Sequence, residues 1–287
     1  MSRALCGAAR DRMWECNESN KLVRHDPATY VGPFAEDDTS DDPANKWGGM
    51  RWQLRSVGGE ETLMDMLPRA CEAMAAQLLG EGSYAPPTGG PFLGRLDTGK
   101  FLAPAGANTR GIYCTLPEPQ SVARIPLREQ PGIHFDSGAE TDDVTDARFK
   151  VTGLIDDTPP NSGGFTVYPR SHARLYELAQ NLRAQGVEDA DEVKRKVAAL
   201  TKAIEADTEP VDCHGPAGTV VFWHRCTAHK VAKNYSDGIR QAVIYDFCSR
   251  TTTEYGQRAQ SSGQPQMPTM WELWHGDAMR WQQLGRL

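Results

Sequence analysis

A histidine and an aspartate stand two residues apart in Pro131-Gly132-Ile133-His134-Phe135-Asp136. On an extended backbone, residues i and i+2 point to the same face. An imidazole and a carboxylate placed that way are two thirds of the 2-His-1-carboxylate set that holds non-haem Fe(II) and leaves positions open for chemistry. A lone His-x-Asp is a weak signal, so the reading needs a second histidine and an anion-binding group downstream. Two histidines compete for the third place in Trp223-His224-Arg225-Cys226-Thr227-Ala228-His229.

His229 is followed by a turn through Asn234 and Gly238, and then by Arg240 opening a strand with Ala242, Val243, Ile244 and Phe247. An unpaired guanidinium on so apolar a strand is costly, so Arg240, eleven residues after His229, has to meet an anion. Its planar fork suits a carboxylate bidentately. A metal at one end and Arg240 at the other fit a dicarboxylic acid. Only His229 has this continuation, so His224, at the end of a strand, reads as structural. His172, behind Pro169-Arg170-Ser171, reads as a packing residue at a helix start with Ser171 as N-cap. Arg148, Lys150, Arg170 and Arg174 read as scattered solvated charges, the alternative being a basic rim that guides an anionic substrate.

The ordered set of His134-Phe135-Asp136, then Gly163-Gly164 through Pro169-Arg170-Ser171-His172, then His229 with Asn234 and Arg240 resembles the phytanoyl-CoA dioxygenase-like Fe(II)/2-oxoglutarate-dependent oxygenases over roughly residues 90–250. The resemblance implies that His134, Asp136 and His229 ligate Fe(II), and that Arg240 pairs with the distal carboxylate of 2-oxoglutarate. It suggests Thr152 as a second co-substrate contact and Arg110 and Tyr113 as pocket residues. It further implies O2 as oxidant, release of succinate and CO2, and oxidation of a C–H bond of a small molecule. In related halogenases a small residue replaces the carboxylate ligand, so Asp136 favours hydroxylation over chlorination. The alternatives are a protein side-chain hydroxylase and a non-catalytic jelly-roll sensor that binds metal or 2-oxoglutarate.

These residues need rigid strands to position them. Short runs rich in Val, Ile, Phe and Tyr recur near 110–116, 130–136, 149–156, 164–168, 210–214, 218–224, 227–232 and 239–248, separated by Gly, Pro, Asn and Asp. Many short strands of this kind predict a β-sandwich or jelly roll. Together with the resemblance, the expectation is a mainly β fold with flanking α, a cupin-like double-stranded β-helix with N-terminal and inserted helices. The inserted helices fall at 173–184 and 189–205, the latter with an acidic start. A further helix is expected over 60–79, with Gly80 as its C-cap. Residues 1–60 read as irregular, with Trp47 and Trp52 docking their segment onto a core. Residues 83–108 read as loops around a strand at 92–97, and Trp271, Leu273, Trp274, Met279 and Trp281 read as an outer helix. The expected organisation is one oxygenase domain spanning 1–287, with a β core over roughly 90–250, an N-terminal region 1–89 and an extension 251–287.

Composition narrows the setting. Lys and Arg total 31 against 38 Asp and Glu, a formal net charge of -7 with no basic run, which speaks against nucleic acid as a partner. No stretch approaches the ~20 apolar residues of a membrane span. The first residues lack the apolar core of a secretory signal. Seven cysteines without a CxxC pair point to reduced thiols and a cytoplasmic setting. A monomer or homodimer acting on a small molecule is the expected form.

Overall fold

The computed structural model describes residues 1–36, 38, 40–42, 44–71, 73–74, 106–136 and 149–248. Among these, nine strands form two antiparallel sheets. They are β1 (Lys46–Gly48), β2 (Arg51–Leu54), β3 (Gly106–Thr115), β4 (Phe149–Leu154), β5 (Phe165–Val167), β6 (Val211–Cys213), β7 (Val220–His224), β8 (His229–Val231) and β9 (Arg240–Cys248). The larger sheet runs β1-β2-β3-β9-β4-β7 and the smaller β6-β5-β8. The fold is mainly β, two antiparallel sheets with helices outside.

The large sheet separates two environments by the period-2 alternation of its strands. One face carries Trp52, Leu54, Ile112, Cys114, Val151, Val243 and Tyr245, all buried in one apolar cluster. Helix α1 (Arg3–Glu15) covers that face with Cys6, Ala9 and Met13. Trp47 stacks on Trp52 at 4.7 Å between ring centroids, so this segment docks on the core as expected. The other face carries Arg51, Gln53, Tyr113, Thr115, Lys150, Thr152, Arg240 and Ile244, which line a cavity. So polar a face is stable only where its groups are paired or wet.

Between β5 and β6 the chain inserts α3 (Ser171–Ala184) and α4 (Ala190–Asp207). Leu175, Ala179 and Leu182 of α3 pack against Val193, Val197 and Leu200 of α4. Asp189 caps α4, accepting a bond from the Asp191 N–H at 3.1 Å, and Asp191 and Glu192 suit the positive end of the helix dipole. No described helix is long and apolar enough to cross a membrane.

Four expectations change. Residues 1–60 are not irregular throughout, since α1 and the β1–β2 hairpin lie there. The apolar stripe of α1 is built from Cys6, Ala9 and Met13, small or soft residues interleaved with arginines, so its period is faint in sequence. The helix expected over 60–79 is broken: α2 is the single turn Glu61–Met64, and helix resumes only at 69–71 and 73–74. Pro68 enforces the gap, because it disfavours helical geometry at the residue before it. The run 130–136 forms no strand and touches the sheet through one bridge, His134 to His229. Ser171 is not an N-cap but the first residue of α3. Gly80, the strand at 92–97, the C-terminal aromatic cluster and Arg148 lie outside the described residues.

Candidate metal centre and its cavity

His134 and His229 face each other as a backbone pair. The His134 N–H donates to the His229 carbonyl at 3.0 Å, and the His229 N–H returns the bond at 2.9 Å. Their imidazole centroids lie 4.3 Å apart. Ile133 and Phe135 flank His134 and pack against Tyr168, Ile204, Ala228 and Leu200. With those two apolar side chains taken by the helix side, His134 and Asp136 are left to point together into the cavity, although no extended strand carries them.

Neighbouring contacts pin both arms. The ammonium of Lys230, next to His229, donates to the carbonyls of Leu127 and Gln130 just upstream of the His134 arm. The Ser171 hydroxyl accepts from the Ala228 N–H at 2.8 Å and donates to the Tyr168 carbonyl at 2.6 Å. Tyr168 N–H in turn donates to the Ala228 carbonyl at 2.9 Å, so the residue before His229 is held on both sides.

The ring nitrogens follow from their partners. Nδ1 of His134 lies 2.8 Å from the Gly132 carbonyl, and Nδ1 of His229 lies 2.9 Å from the Thr227 carbonyl. A carbonyl only accepts, so each Nδ1 carries the proton and each Nε2 offers a lone pair. Both Nε2 atoms face Oδ1 of Asp136, at 3.8 Å from His134 and 3.6 Å from His229. One nitrogen from each histidine and a carboxylate oxygen thus lie within 4.8 Å of one another. Two imidazoles, each with Nδ1–H held by a carbonyl, and one carboxylate form a donor set that fits a divalent iron.

The charges around this point favour that state. Burial alone would raise the Asp136 carboxyl, but Lys150 first, then His229 and Arg110, hold it well below the usual carboxylate range. The Lys150 ammonium, itself 3 % exposed, donates to Oδ2 of Asp136. It also lies 3.2 Å from Asp246, a fully buried carboxylate that receives a bond from Arg110. Burial pulls the His229 imidazole down to about 4, against the attraction of Asp136, and His134 adds to the pull. His229 is therefore neutral near pH 7.

A cavity of about 230 Å³ joins these groups to Arg240. The Arg240 guanidinium is buried and anchored: Nε donates to the Gly163 carbonyl at 2.7 Å and one Nη to the Thr115 hydroxyl at 3.1 Å. Burial, with the charge of Arg51 alongside, pulls it down to about 10, still charged near neutrality. Asn234, fully buried, donates to the carbonyls of Thr115 at 3.0 Å and Gly238 at 2.7 Å. Gly163 sits at φ +78, where a Cβ would be strained and would lie 3.0 Å from that of Asn234. The Gly163, Asn234 and Arg240 of the sequence pattern thus meet around the end of β3. Thr152, Arg110 and Tyr113 line the same cavity. The Thr152 oxygen accepts from the Trp223 indole at 3.0 Å, which leaves its O–H to donate elsewhere. Arg110 is aimed inward by a bulge in β3 between Thr109 and Ile112, where Gly111 sits at φ +88.

His224 is not at the cavity. It stacks on His172 with centroids 5.2 Å apart and accepts from the Cys226 N–H at 3.0 Å. The basic-rim alternative fails for two of its members, since Lys150 is buried in the centre and Arg174 ties α3 to Asp207 of α4. Sequence reading missed the Lys150–Asp246–Arg110 chain and the role of Lys230. The signal was present: Lys150 on β4 and Asp246 on β9 are charges on otherwise apolar stretches of strand, as Arg240 is.

Comparison with known proteins agrees with the donor set. Residues 132–242 match the family model described as Phytanoyl-CoA dioxygenase (PhyH). No curated protein matches significantly. Among solved structures, AviO1 from Streptomyces viridochromogenes Tue57 is 15% identical, covering 85% of this chain and 82% of its own, with a TM-score of 0.43. The non-heme alpha ketoglutarate dependent epimerase SnoN from nogalamycin biosynthesis is 17% identical, over 86% and 75% of the two chains, with a TM-score of 0.46. The carbocyclase SnoK from the same biosynthesis is 16% identical, over 94% and 87%, with a TM-score of 0.45. The stretch that matches the phytanoyl-CoA dioxygenase model, residues 132–242, is the one in which the two histidines, the aspartate and Arg240 all lie.

Proposed function

We propose that this oxygenase inserts oxygen into an unactivated C–H bond of a small molecule while 2-oxoglutarate is split to succinate and CO2. His134, Asp136 and His229 hold the iron, and Arg240 holds the distal carboxylate of the co-substrate. The observation that carries the reading is the convergence of two Nδ1-protonated imidazoles and a carboxylate in one cavity with a buried arginine. Per turnover, one O2 is consumed: one oxygen atom enters succinate and the other the product.

Bound at this triad, Fe(II) supplies the activation of O2 and the oxidising power for C–H cleavage. The chain's own residues set the conditions. The Gly132 and Thr227 carbonyls keep both Nε2 lone pairs directed at one point. Lys150 engages Oδ2 of Asp136, which leaves Oδ1 toward the imidazoles. Arg240 offers a charge-assisted pair to a carboxylate, and Thr152 can donate a further bond. Phe165, Val231 and Ile244 supply apolar wall that limits water near the reacting centre.

Purified protein supplied with Fe(II), ascorbate and 2-oxoglutarate should release succinate. His134→Ala and Asp136→Ala should each abolish that release. Succinate release that persists in both variants overturns the ligand assignment.

A further inference from the structure

The cavity holds more positive charge than the metal chemistry uses. Among the described residues, five cationic side chains line it, Arg51, Arg55, Arg110, Lys150 and Arg240, against one lining carboxylate, Asp136. The chain as a whole carries -7, so this concentration is local and not compositional. Three of the five are accounted for. Arg110 and Lys150 are tied to Asp246 and Asp136, and Arg240 is anchored by Gly163 and Thr115 and is assigned to the co-substrate by the reading above.

Arg51 and Arg55 are left over. Both are exposed, and among the described residues neither side chain has a hydrogen bond or ion pair. They lie on the cavity side of β2 because Trp52 and Leu54, alternating with them, are buried in the core behind. Gln53 lies between them on the same wall, so the strand presents only hydrogen-bonding side chains to the cavity. Arg51 is paired in register with Thr115, and Thr115 with Arg240. Two strand spacings of about 4.8 Å therefore separate Arg51 from the co-substrate clamp. Arg55, four residues along, lies about 13 Å from Arg51 in the strand direction by extended geometry. Arg51 also lines a second hollow with Glu118 and Lys233 that continues from the cavity at Thr115 and Val231. Arg51 thus sits where the two hollows meet, and Arg55 lines the cavity alone.

We propose that the substrate oxidised here is an anion, carrying a carboxylate or phosphate group that Arg51 and Arg55 recognise. This rests on the oxygenase reading above and names the substrate class for it. Guanidinium forks match both oxyanions in geometry and charge. A neutral substrate would leave two unpaired arginines beside a third at Arg240, a repulsive arrangement with no return.

The test uses the full chain loaded with Mn(II) and saturated with 2-oxoglutarate. Benzoate, phenyl phosphate and neutral benzamide serve as probes, followed by paramagnetic line broadening of their proton signals. At least one anion should bind about tenfold or more tightly than benzamide, and the tighter anion tells carboxylate from phosphate. The Arg51→Gln/Arg55→Gln double variant should lose about tenfold or more of that affinity while 2-oxoglutarate binding changes less than about twofold. Three results each overturn the proposal: benzamide binding as well as both anions, the double variant binding anions unchanged, or 2-oxoglutarate affinity falling in step with the anion. A wild-type chain that takes up neither Mn(II) nor 2-oxoglutarate overturns the oxygenase reading, and this proposal with it.

Discussion

Lys150 donates its ammonium proton to Oδ2 of Asp136, the carboxylate oxygen other than the one that faces the two imidazoles. The bond fixes which oxygen is left for a metal. Because Lys150 is also held by Asp246, and Asp246 by Arg110, the carboxylate is steadied by a chain that reaches across β4, β9 and β3.

Lys150→Met should lower Co(II) affinity by about 10- to 100-fold, the usual effect of removing a group that orients a metal ligand. Arg110 still meets Asp246 in this variant, which limits the burden of an unpaired buried acid. Titration of the visible Co(II) absorption reads the affinity. An unchanged affinity would show that Asp136 needs no such support.

Metal-free protein should lose stability as pH falls through the histidine range. The His229 imidazole is lowered to about 4 in the fold, against about 6.5 when unfolded. Below the unfolded value the unfolded chain takes up a proton that the native chain refuses, so stability declines from about pH 6.5 down to about pH 4. Between pH 7 and pH 5 this one group should cost about 2 kcal/mol. Urea unfolding at the two pH values should show that His229→Gln loses about that much less than the wild type. Parallel losses in both proteins would count against the assignment.

Arg240→Lys keeps the charge and removes the fork. 2-Oxoglutarate should then bind about 30-fold or more weakly, since truncating a buried charge partner costs a few kcal/mol. Mn(II) affinity should change less than about threefold, because Arg240 touches none of the three ligands. Calorimetric titration of each ligand separates the two effects. Equal loss of both would remove Arg240 from its role.

Gly111→Ala should destabilise the protein by about 2 kcal/mol or more, because a Cβ there would sit 1.9 Å from the Leu54 carbonyl at a φ of +88°. Gly48→Ala meets nothing within 4 Å and should be close to neutral, making it the control. Denaturant midpoints of the pair give the comparison. A mild Gly111 variant would mean that the β3 bulge can relax without displacing Arg110.

Much of the site was legible because its chemistry is written in residue types that are costly to place anywhere else. An arginine heading an apolar strand and a His-x-Asp followed at long range by a second histidine point to a metal and an anion. Lys150 and Asp246 carried the same kind of signal, but each points to a partner on another strand, and strand order cannot be read from local pattern. The β3 bulge and the broken α2 were equally hidden, since each depends on one backbone meeting another.

The amino-acid sequence by itself named the residues proposed as donor set and co-substrate clamp, and indicated a fold of many short strands with two inserted helices, because side-chain chemistry and period-2 patterning are local properties. Tertiary structure alone decided the rest. It brought His134 to His229 through a single backbone bridge in place of a strand, and set His229 in the cavity while His224 turned aside to stack on His172. It also placed Arg51 and Arg55 on the wall of the same cavity. The physical reason is register. Which face a residue shows, and which residue it meets, is settled by hydrogen-bonded pairing between segments far apart in the chain.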